Sequence, residues 1–358
     1  MKRNIITLLL LAASFIHARP IYIGTGADGI YLADFDAETG VLTEPKLAAK
    51  YEAPGFLALH PEKPILHCVG RDNTVASFTM AADNSLTLLG TASSGGIGPC
   101  HLAIDASGRT LAVANYGDGS SATIRLDAEG KPGEIVSLIK MEGSGPSLPR
   151  QDAPHAHGVY FDNANRFLFV PDLGIDKILN RKFDPATSAL SPNEPAEMIS
   201  PPGAGPRHMA FSPDEKHAYV INELTNTVSV AEFDAETGAL NPIQEITTLP
   251  EGFAKPNTTA EIEVHANGEF VYGSNRGHDS LVVYKRDPKT GKLTLVQHAP
   301  CGGKTPRHFK IDPSGKWLIC AHQNSDTISV LSLDPATGLL GNPKSTVTAP
   351  KPNCILFP

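Results

Sequence analysis

The stretch Asp234-Ala-Glu-Thr-Gly-Ala-Leu240 decides the fold, because the same phrase recurs along the chain. Clear copies begin at Asp36, Asp287 and Asp334, and weaker copies begin at Asp83, Asp127 and Asp184. Successive copies are separated by 47, 44, 57, 50, 53 and 47 residues. Asp, Pro, Thr and Gly favour a tight turn, and the leucine after the glycine can begin a strand. The chain is therefore predicted to contain seven repeats of one hairpin-based unit.

A second hairpin falls between successive copies of this phrase. In one example, His208–Phe211 and His217–Ile221 are apolar strands joined by the turn Ser212-Pro-Asp-Glu215. Apolar residues alternate at period two, and no helical period extends beyond one turn. Each repeat therefore holds four antiparallel strands, and seven such units arranged radially form an all-β, seven-bladed β-propeller.

The two ends of the chain are complementary. Residues Pro352–Phe357 resemble the first strand of a repeat, and Ile21–Thr25 resemble a second strand. We expect both termini to share one blade that closes the ring and hides two sheet edges. The predicted propeller domain spans residues 19–358.

Residues 1–18 have the pattern of an export signal. Lys2 and Arg3 precede an apolar run from Ile5 to Ile16, and Ala18 is a small residue before the expected cleavage point. The run is too short to span a bilayer, and no later segment reaches eighteen apolar residues. The chain is therefore expected to be exported, to the periplasm or the extracellular space, without a membrane span. A buried N-terminal strand or helix is the alternative.

Charge and cysteine content narrow the class of protein further. The chain of 358 residues has 30 Lys and Arg against 38 Asp and Glu, and loss of Lys2 and Arg3 would bring the net charge near −10. No block of basic residues could follow a phosphate backbone, so nucleic acid is not an expected partner. Five cysteines cannot all pair, and their spacing fits neither a zinc ribbon nor a disulfide scaffold. We expect a monomer or a weak homodimer.

Alignment of the repeats on the apolar residue before each inner turn locates the rim of the central channel. The entrance of each innermost strand lies four residues earlier, at Gly55, Cys100, His157, Arg207, Ala260, Arg307 and Asn353. The exit of the second strand lies sixteen residues after the entrance, in six blades at Arg71, Tyr116, Leu173, Glu223, Arg276 and Gln323. Because both positions lie on the same face of the disc, these side chains are predicted to ring one mouth.

Four arginines, a histidine and a glutamate at this rim suit an anionic substrate. Guanidinium groups bind carboxylate or phosphate and can stabilise an oxyanion, and His or Glu can move a proton. Structural roles are the alternatives: Arg207 and Arg307 could pair with neighbouring carboxylates, and the recurrence of His208 in other blades is typical of repeat architecture. His155 and His157 resemble a zinc pair without a visible third ligand, so neither metal nor cofactor is predicted. No Gly-x-Ser-x-Gly elbow or P-loop is present.

Six motifs carry a resemblance to a known family. They are Pro154-His-Ala-His-Gly158, Val170-Pro-Asp-Leu-Gly174, Gly205-Pro-Arg-His208, Asn222-Glu223, Ser274-Asn-Arg-Gly-His278 and Thr305-Pro-Arg-His308. In these motifs the chain resembles the lactonase family of seven-bladed propellers, over nearly the whole of residues 19–358. That family includes the propeller type of bacterial 6-phosphogluconolactonase and the fungal enzyme that lactonises carboxymuconate.

The resemblance implies a hydrolase that opens a small anionic sugar lactone at the channel mouth. The catalytic set proposed for the family, one His, two Arg and one Glu, falls on His157, Arg207, Arg276 and Glu223. Further side chains from the same motifs and rim positions are expected to bind substrate: His155, His208, Asn222, Arg307, Gln323, Arg71 and Tyr116.

Two other functions stay open from the sequence. A lactonising or cycloisomerising enzyme acting on a carboxymuconate-like diacid would use the same arginines to bind two carboxylates. The second alternative is a non-catalytic exported propeller that binds protein or glycan, because the propeller fold serves many functions. The sequence does not identify the physiological lactone, although phosphorylated sugar lactones are expected to be scarce outside the cell membrane.

Overall fold

The computed structural model describes residues 18–358, and it contains twenty-nine strands in seven sheets and no helix in that range. The expected signal peptide lies outside the described residues, apart from Ala18, which begins the first strand. No helix in this described part of the chain is long and apolar enough to cross a membrane. The blades are numbered here by the order of their innermost strands.

Every blade is an antiparallel sheet, and in blades 1 to 6 the strands follow one another in sequence from the channel outward. Blade 1 holds β5 (Leu57–Leu59), β6 (Ile65–Gly70), β7 (Thr74–Met80) and β8 (Leu86–Ser93). Blade 2 holds β9 (Pro99–Ile104), β10 (Thr110–Asn115), β11 (Ser120–Leu126) and β12 (Pro132–Lys140). Blade 3 holds β13 (Tyr160–Phe161), β14 (Phe167–Asp172), β15 (Lys177–Asp184) and β16 (Ala189–Ile199). Blade 4 holds β17 (Pro206–Phe211), β18 (His217–Asn222), β19 (Thr227–Asp234) and β20 (Ala239–Thr247).

The remaining blades follow the same order. Blade 5 holds β21 (Thr258–Val264), β22 (Phe270–Arg276), β23 (Ser280–Arg286) and β24 (Leu293–Pro300). Blade 6 holds β25 (Pro306–Ile311), β26 (Trp317–His322), β27 (Thr327–Leu333) and β28 (Leu340–Thr348). Blade 7 holds β29 (Pro352–Leu356), β1 (Ala18–Thr25), β2 (Gly29–Asp36), β3 (Val41–Leu42) and β4 (Lys46–Lys50).

Blade 7 joins the two ends of the chain. Its innermost strand is the C-terminal β29, which pairs antiparallel with β1 so that Cys354 faces Gly24 and Leu356 faces Tyr22. The outer strand is interrupted, and both of its parts, β3 and β4, pair with β2. The seven-bladed propeller predicted from the repeats, and its closure by a shared blade, are therefore confirmed.

The recurring turn phrase also explains how blades contact each other. In blade 4, Asp234 Oδ1 accepts the backbone N–H of Glu236 at 2.9 Å, and Thr237 Oγ1 donates to Asp234 Oδ2 at 2.8 Å. Gly238 closes the turn with φ of 76°. A Cβ at Gly238 would lie 2.8 Å from the ring of Phe167 in blade 3, so the turn needs glycine for its backbone and for its fit against the neighbouring blade.

The hydrophobic core is divided into seven clusters, each between two neighbouring blades. Between blades 3 and 4, for example, Phe169 and Ile178 pack with Met209 and Val220. Because each sheet is covered on both faces, its central strands are apolar almost throughout. All five cysteines lie in the described range, unpaired, and four of them are buried. This packing holds the rim of the channel in a fixed register.

Candidate active site

A β-bulge interrupts the pairing at the entrance of the innermost strand in several blades. In blade 4, Pro206 pairs with Asn222 and His208 pairs with Ile221, so Arg207 is the extra residue. Arg307 in blade 6 and Cys100 in blade 2 occupy the same place. A bulge bends the strand and redirects the extra side chain. The bulges therefore free these entrance side chains from the regular alternation of the strand.

A cavity of about 420 Å³ lies where these bulges meet the exits of the second strands. Five blades and the loop before blade 3 contribute its lining: Gly98, Cys100, Tyr116, Arg150, His157, Glu223, Thr258, Arg276 and Arg307. Arg207 lies directly behind this lining, hydrogen-bonded to Glu223 and only 1% exposed. The structure thus brings together all four residues expected to be catalytic.

Glu223 is the anionic centre of the cavity. Arg150 Nη2 donates to Glu223 Oε1 at 2.6 Å, whereas Arg207 Nε and Arg276 Nη2 approach Oε2 at 3.1 and 2.8 Å. Burial alone would raise the pKa of this carboxyl, but Arg276, Arg207 and Arg150 outweigh burial and lower the pKa to about 2. Glu223 is therefore ionised at neutral pH and is a poor proton carrier.

Backbone carbonyls hold two of these arginines in place. Arg207 Nη1 donates to the carbonyl of Ala260 at 2.8 Å. Arg276 donates from Nε and Nη2 to the carbonyl of Thr259 at 3.1 and 2.7 Å. Both carbonyls belong to β21 in blade 5, so the two guanidinium groups are rigidly placed before any substrate binds. Such preorganised donors are the kind that stabilise developing negative charge.

Arg150 is a cavity residue that sequence reasoning missed. It lies in the connection between β12 and β13, and its Nη2 also donates to the Tyr116 hydroxyl at 3.1 Å. This connection lies within the longest interval between copies of the turn phrase, 57 residues from Asp127 to Asp184. The extra length was the available signal, because an insertion with no counterpart in the other repeats often carries functional residues.

His157 supplies the imidazole of the cavity. Its Nδ1 lies 3.9 Å from Cys100 Sγ, and its ring lies 5.4 Å from the Tyr116 ring and 5.2 Å from the His208 ring, measured between centroids. Burial, followed by the charge of Arg207, lowers the pKa of His157 well below its usual value. The imidazole is therefore neutral at neutral pH and can accept a proton.

Cys100 does not offer a nucleophile at neutral pH. Burial raises the pKa of its thiol to about 12, although Arg207 and Arg307 act in the opposite direction. The thiolate is the reactive form of cysteine, and it is nearly absent this far below the pKa. Among the residues lining the cavity, His157 is thus the better candidate to activate a reactant.

Side chains one residue beyond the bulges extend into the channel and meet there. The residues that follow the seven entrance positions are Phe56, His101, Gly158, His208, Glu261, His308 and Cys354. The Phe56 ring lies 4.0 Å from that of His101 and 5.7 Å from that of His308, so side chains from different blades meet. Glu261 Oε2 lies 3.0 Å from His208 Nδ1 and 3.5 Å from His308 Nε2. This ring of side chains forms the inner floor of the cavity.

Acid is expected to destabilise the fold, because several histidines are buried as neutral rings. Burial lowers the pKa of His67 and of His308 to about 3, and that of His208 well below its usual value. The unfolded chain binds protons at these rings below about pH 6.5, whereas the folded chain does not. Stability is therefore fully present above pH 6.5 and is lost as the pH falls toward 3, by up to about 1.4 kcal/mol per pH unit for each ring.

Urea unfolding at a series of pH values between 7 and 4 measures this loss. Asp172 acts in the opposite direction, since burial raises its pKa to about 6 and its folded carboxyl keeps a proton that the unfolded one releases. A His67→Gln variant should show a shallower dependence of the unfolding free energy on pH. An unfolding free energy that stays constant between pH 7 and 5 would contradict the expectation.

The other residues expected to bind substrate lie in different surroundings. Tyr116 lines the cavity, and the His155 ring stacks on it at 4.5 Å while its Nδ1 contacts the Tyr116 carbonyl oxygen. Asn222 is buried and donates to Thr227 and Ser229 within its own blade. His208 belongs to the channel floor. Outside the cavity lining are Gln323 and Arg71, the latter 60% exposed and paired with Glu52 at 2.6 Å.

Among residues 18–358, no group of three or more His, Cys, Asp or Glu side chains is placed to hold a metal ion. His155 and His157, the pair with zinc-like spacing, point to different partners. His155 contacts Tyr116 and Asp152, whereas His157 faces Cys100 and the cavity. The two imidazoles therefore have separate contacts in this structure.

Fold and cavity together define a seven-bladed propeller in which charged side chains from several blades share one cavity with the imidazole of His157. The family model described as "Lactonase, 7-bladed beta-propeller" matches residues 20–357. The chain therefore belongs to the seven-bladed β-propeller lactonase family, and with its relatives this indicates a lactonase, a hydrolase that acts on a cyclic ester.

Individual relatives match over almost their whole length. A 6-phosphogluconolactonase of Bacillus subtilis is 33% identical over 344 residues, which cover 94% of this chain and 97% of the relative. A 6-phosphogluconolactonase of Formosa agariphila is also 33% identical, over 92% of this chain and 94% of the relative. The solved structure of the periplasmic gluconolactonase of Pseudomonas aeruginosa superposes with a TM-score of 0.90 at 29% identity, covering 95% of this chain and 99% of the other.

Proposed function

We propose that this protein hydrolyses a small anionic sugar lactone in the arginine-rich cavity, at the mouth of the propeller channel. The observation that carries the proposal is the charge of the cavity, where four guanidinium groups face a single carboxylate and three of them contact it. In a chain with a net charge of −8, such a local excess of positive charge favours an anionic ligand. The names of the curated relatives, 6-phosphogluconolactonases, agree with a sugar lactone as substrate.

His157 is the proposed general base. It accepts a proton from water as the water oxygen attacks the lactone carbonyl carbon, and the carbonyl π electrons move onto oxygen. Arg276, with Arg207 behind it, stabilises the tetrahedral oxyanion. When the intermediate collapses, the bond from the acyl carbon to the ring oxygen breaks, and protonated His157 returns the proton to that oxygen. The product is the open hydroxy acid, and the imidazole is neutral again.

Glu223 is proposed as a positioning residue in this mechanism. Its pKa of about 2 keeps it ionised, so it neither takes a proton from water nor gives one to the leaving group. Its two oxygens fix Arg150 on one side and Arg207 and Arg276 on the other. Without this shared counter-ion the guanidinium groups would repel each other and lose their alignment.

Export to the periplasm or beyond remains a proposal. It rests on the N-terminal pattern of a signal peptide and on the resemblance to a periplasmic gluconolactonase. Such a location would favour a lactone that exists outside the cytoplasm. The charge of the cavity then indicates that this lactone carries a carboxylate or phosphate group.

Parallel assays of two sugar lactones and of carboxymuconate, an open-chain acid, test the proposed function. The purified protein is expected to hydrolyse 6-phosphogluconolactone and glucono-1,5-lactone above the spontaneous rate, with higher kcat/KM for the phosphorylated form. Rates are followed in a pH-stat, with and without EDTA, and EDTA is expected to leave them unchanged. Conversion of carboxymuconate, with no acceleration of either sugar lactone, would show that the proposed reaction is wrong.

A further inference from the structure

We infer that Arg307 is the receptor for an oxyanionic substituent of the substrate, a phosphate or carboxylate group separate from the ester that is cleaved. This inference rests on the proposed function and assigns separate roles to the arginines of the cavity. In this division Arg150, Arg207 and Arg276 are organised by Glu223, whereas Arg307 selects charged over neutral lactones.

Arg307 is the cavity arginine that no protein anion neutralises in the described part of the chain. Arg150, Arg207 and Arg276 all contact Glu223 within 3.1 Å. The Arg307 side chain lines the same cavity but makes no ion pair and no hydrogen bond to residues 18–358. A partly buried guanidinium group without an acceptor is unfavourable. A bound solute anion would therefore stabilise Arg307 by supplying the missing acceptor and counter-charge.

The repeat itself explains why this partner is missing. Gly205-Pro-Arg-His208 and Thr305-Pro-Arg-His308 place Arg207 and Arg307 at equivalent bulges. The exit position sixteen residues later is Glu223 in blade 4 but Gln323 in blade 6. Backbone bonds confirm this equivalence, because Glu223 N donates to the Gly205 carbonyl and Gln323 N donates to the Thr305 carbonyl. Blade 6 therefore repeats the cation of blade 4 and replaces its carboxylate by a neutral amide.

Neighbouring positive charges make the lack of an anionic partner more unfavourable for Arg307. Burial, then repulsion from Arg207 and from Arg276, lowers the pKa of Arg307 to about 9. Glu223, the carboxylate whose charge acts on Arg307, is already shared by three other guanidinium groups. An oxyanion that enters the cavity would restore the charge balance, and a phosphate dianion would do so more fully than a carboxylate.

The position of Arg307 separates this group from the reacting ester. His157 comes from blade 3 and Arg307 from blade 6, and these blades face each other across a ring of seven. A substrate that spans the cavity can present its lactone carbonyl to His157 and its acid group to Arg307. The cavity volume of about 420 Å³ is large enough for a small sugar acid.

The test compares two variants that remove the free cation in different ways. Arg307→Met deletes the guanidinium group, and Gln323→Glu supplies the carboxylate that blade 4 already has. In each variant the ratio of kcat/KM for 6-phosphogluconolactone to that for glucono-1,5-lactone is expected to fall at least tenfold, the scale of one lost charged hydrogen bond. Arg109→Met, which changes an exposed arginine outside the cavity lining, is the matched control and should keep the wild-type ratio.

Calorimetry with inorganic phosphate and with succinate gives a readout that does not need turnover. Wild-type protein is expected to bind at least one of these anions, and both variants should bind it at least tenfold more weakly. Binding of phosphate alone would indicate a phosphorylated substrate, and binding of succinate alone would indicate a carboxylated one; either supports the receptor. Equal loss of kcat/KM for charged and neutral lactones, or unchanged anion binding in both variants, would overturn the inference.

The two proposals can fail separately. If the wild-type protein opens no lactone but binds phosphate through Arg307, the proposed function is wrong and the anion receptor stands. If lactones are opened and the selectivity ratio stays unchanged in both variants, the proposed function stands and the role of Arg307 is wrong. Gln323→Glu keeps Arg307 in place, so a folding defect confined to Arg307→Met leaves the question decidable.

Discussion

Replacement of His157 by alanine is expected to lower kcat/KM for the preferred lactone at least a hundredfold. The variant loses the only imidazole that lines the cavity in the described structure, and removal of a general base has an effect of about this size. Most of the loss should fall on kcat, because the arginines that bind the anion remain. Initial rates over a range of substrate concentrations measure both constants.

A matched variant and a pH profile test the assignment of His157. His155→Ala removes an imidazole two residues away that contacts Tyr116 and does not line the cavity, so its effect should stay below about tenfold. A base must be unprotonated, and burial together with Arg207 lowers the pKa of His157. The acid limb of kcat/KM should therefore lie well below pH 6.5. Near-wild-type turnover by His157→Ala would assign the proton transfer to another group.

Substitution of Glu223 by glutamine is expected to destabilise the protein by about 3–5 kcal/mol, because it leaves three guanidinium groups without their common counter-ion. The pKa of Glu223, lowered from 4.5 to about 2, corresponds to roughly 3 kcal/mol and gives the same scale. That stabilisation is present above pH 4.5 and lost as the pH falls toward 2. Urea unfolding at pH 7 measures the difference.

Glu52→Gln is the control, since it makes the same chemical change in an exposed ion pair. The Arg71–Glu52 pair has side chains that are 60% and 55% exposed, so its loss should change stability by less than about 1 kcal/mol. The Glu223→Gln variant should also lose at least tenfold in kcat/KM, as Arg207 and Arg276 lose their alignment. Equal stability of the two variants would mean that Glu223 does not organise the arginines.

The fold was predictable because the same sequence pattern recurs along the chain. Seven copies of one turn phrase fix the number of blades, and a constant offset of sixteen residues relates each entrance to its exit. That offset selected Cys100, Tyr116, His157 and Arg307, which the structure places in the cavity lining. It also selected Arg71, which has an exposed partner instead, because a register position does not determine the rotamer of a long side chain.

The chemistry of the site was harder to predict than its location. Arg150 lies on a connection without a repeat to align, so no offset could select it. Glu223 was expected to be catalytic, since a glutamate can move a proton, but three guanidinium groups around one carboxylate make proton transfer unfavourable. That number of contacts depends on how separate blades converge, which spacing along the chain does not encode. Only the structure distinguishes the saturated Glu223 network from the unpaired Arg307.

The shared blade has a consequence for biosynthesis. The innermost strand of blade 7 is β29, which follows all the other described strands in sequence, so the ring stays open until β29 has been synthesised. Until then β1 presents an unpaired edge on which another chain could assemble. Truncation that removes the five residues of β29 would therefore harm the product far more than the small loss of length suggests.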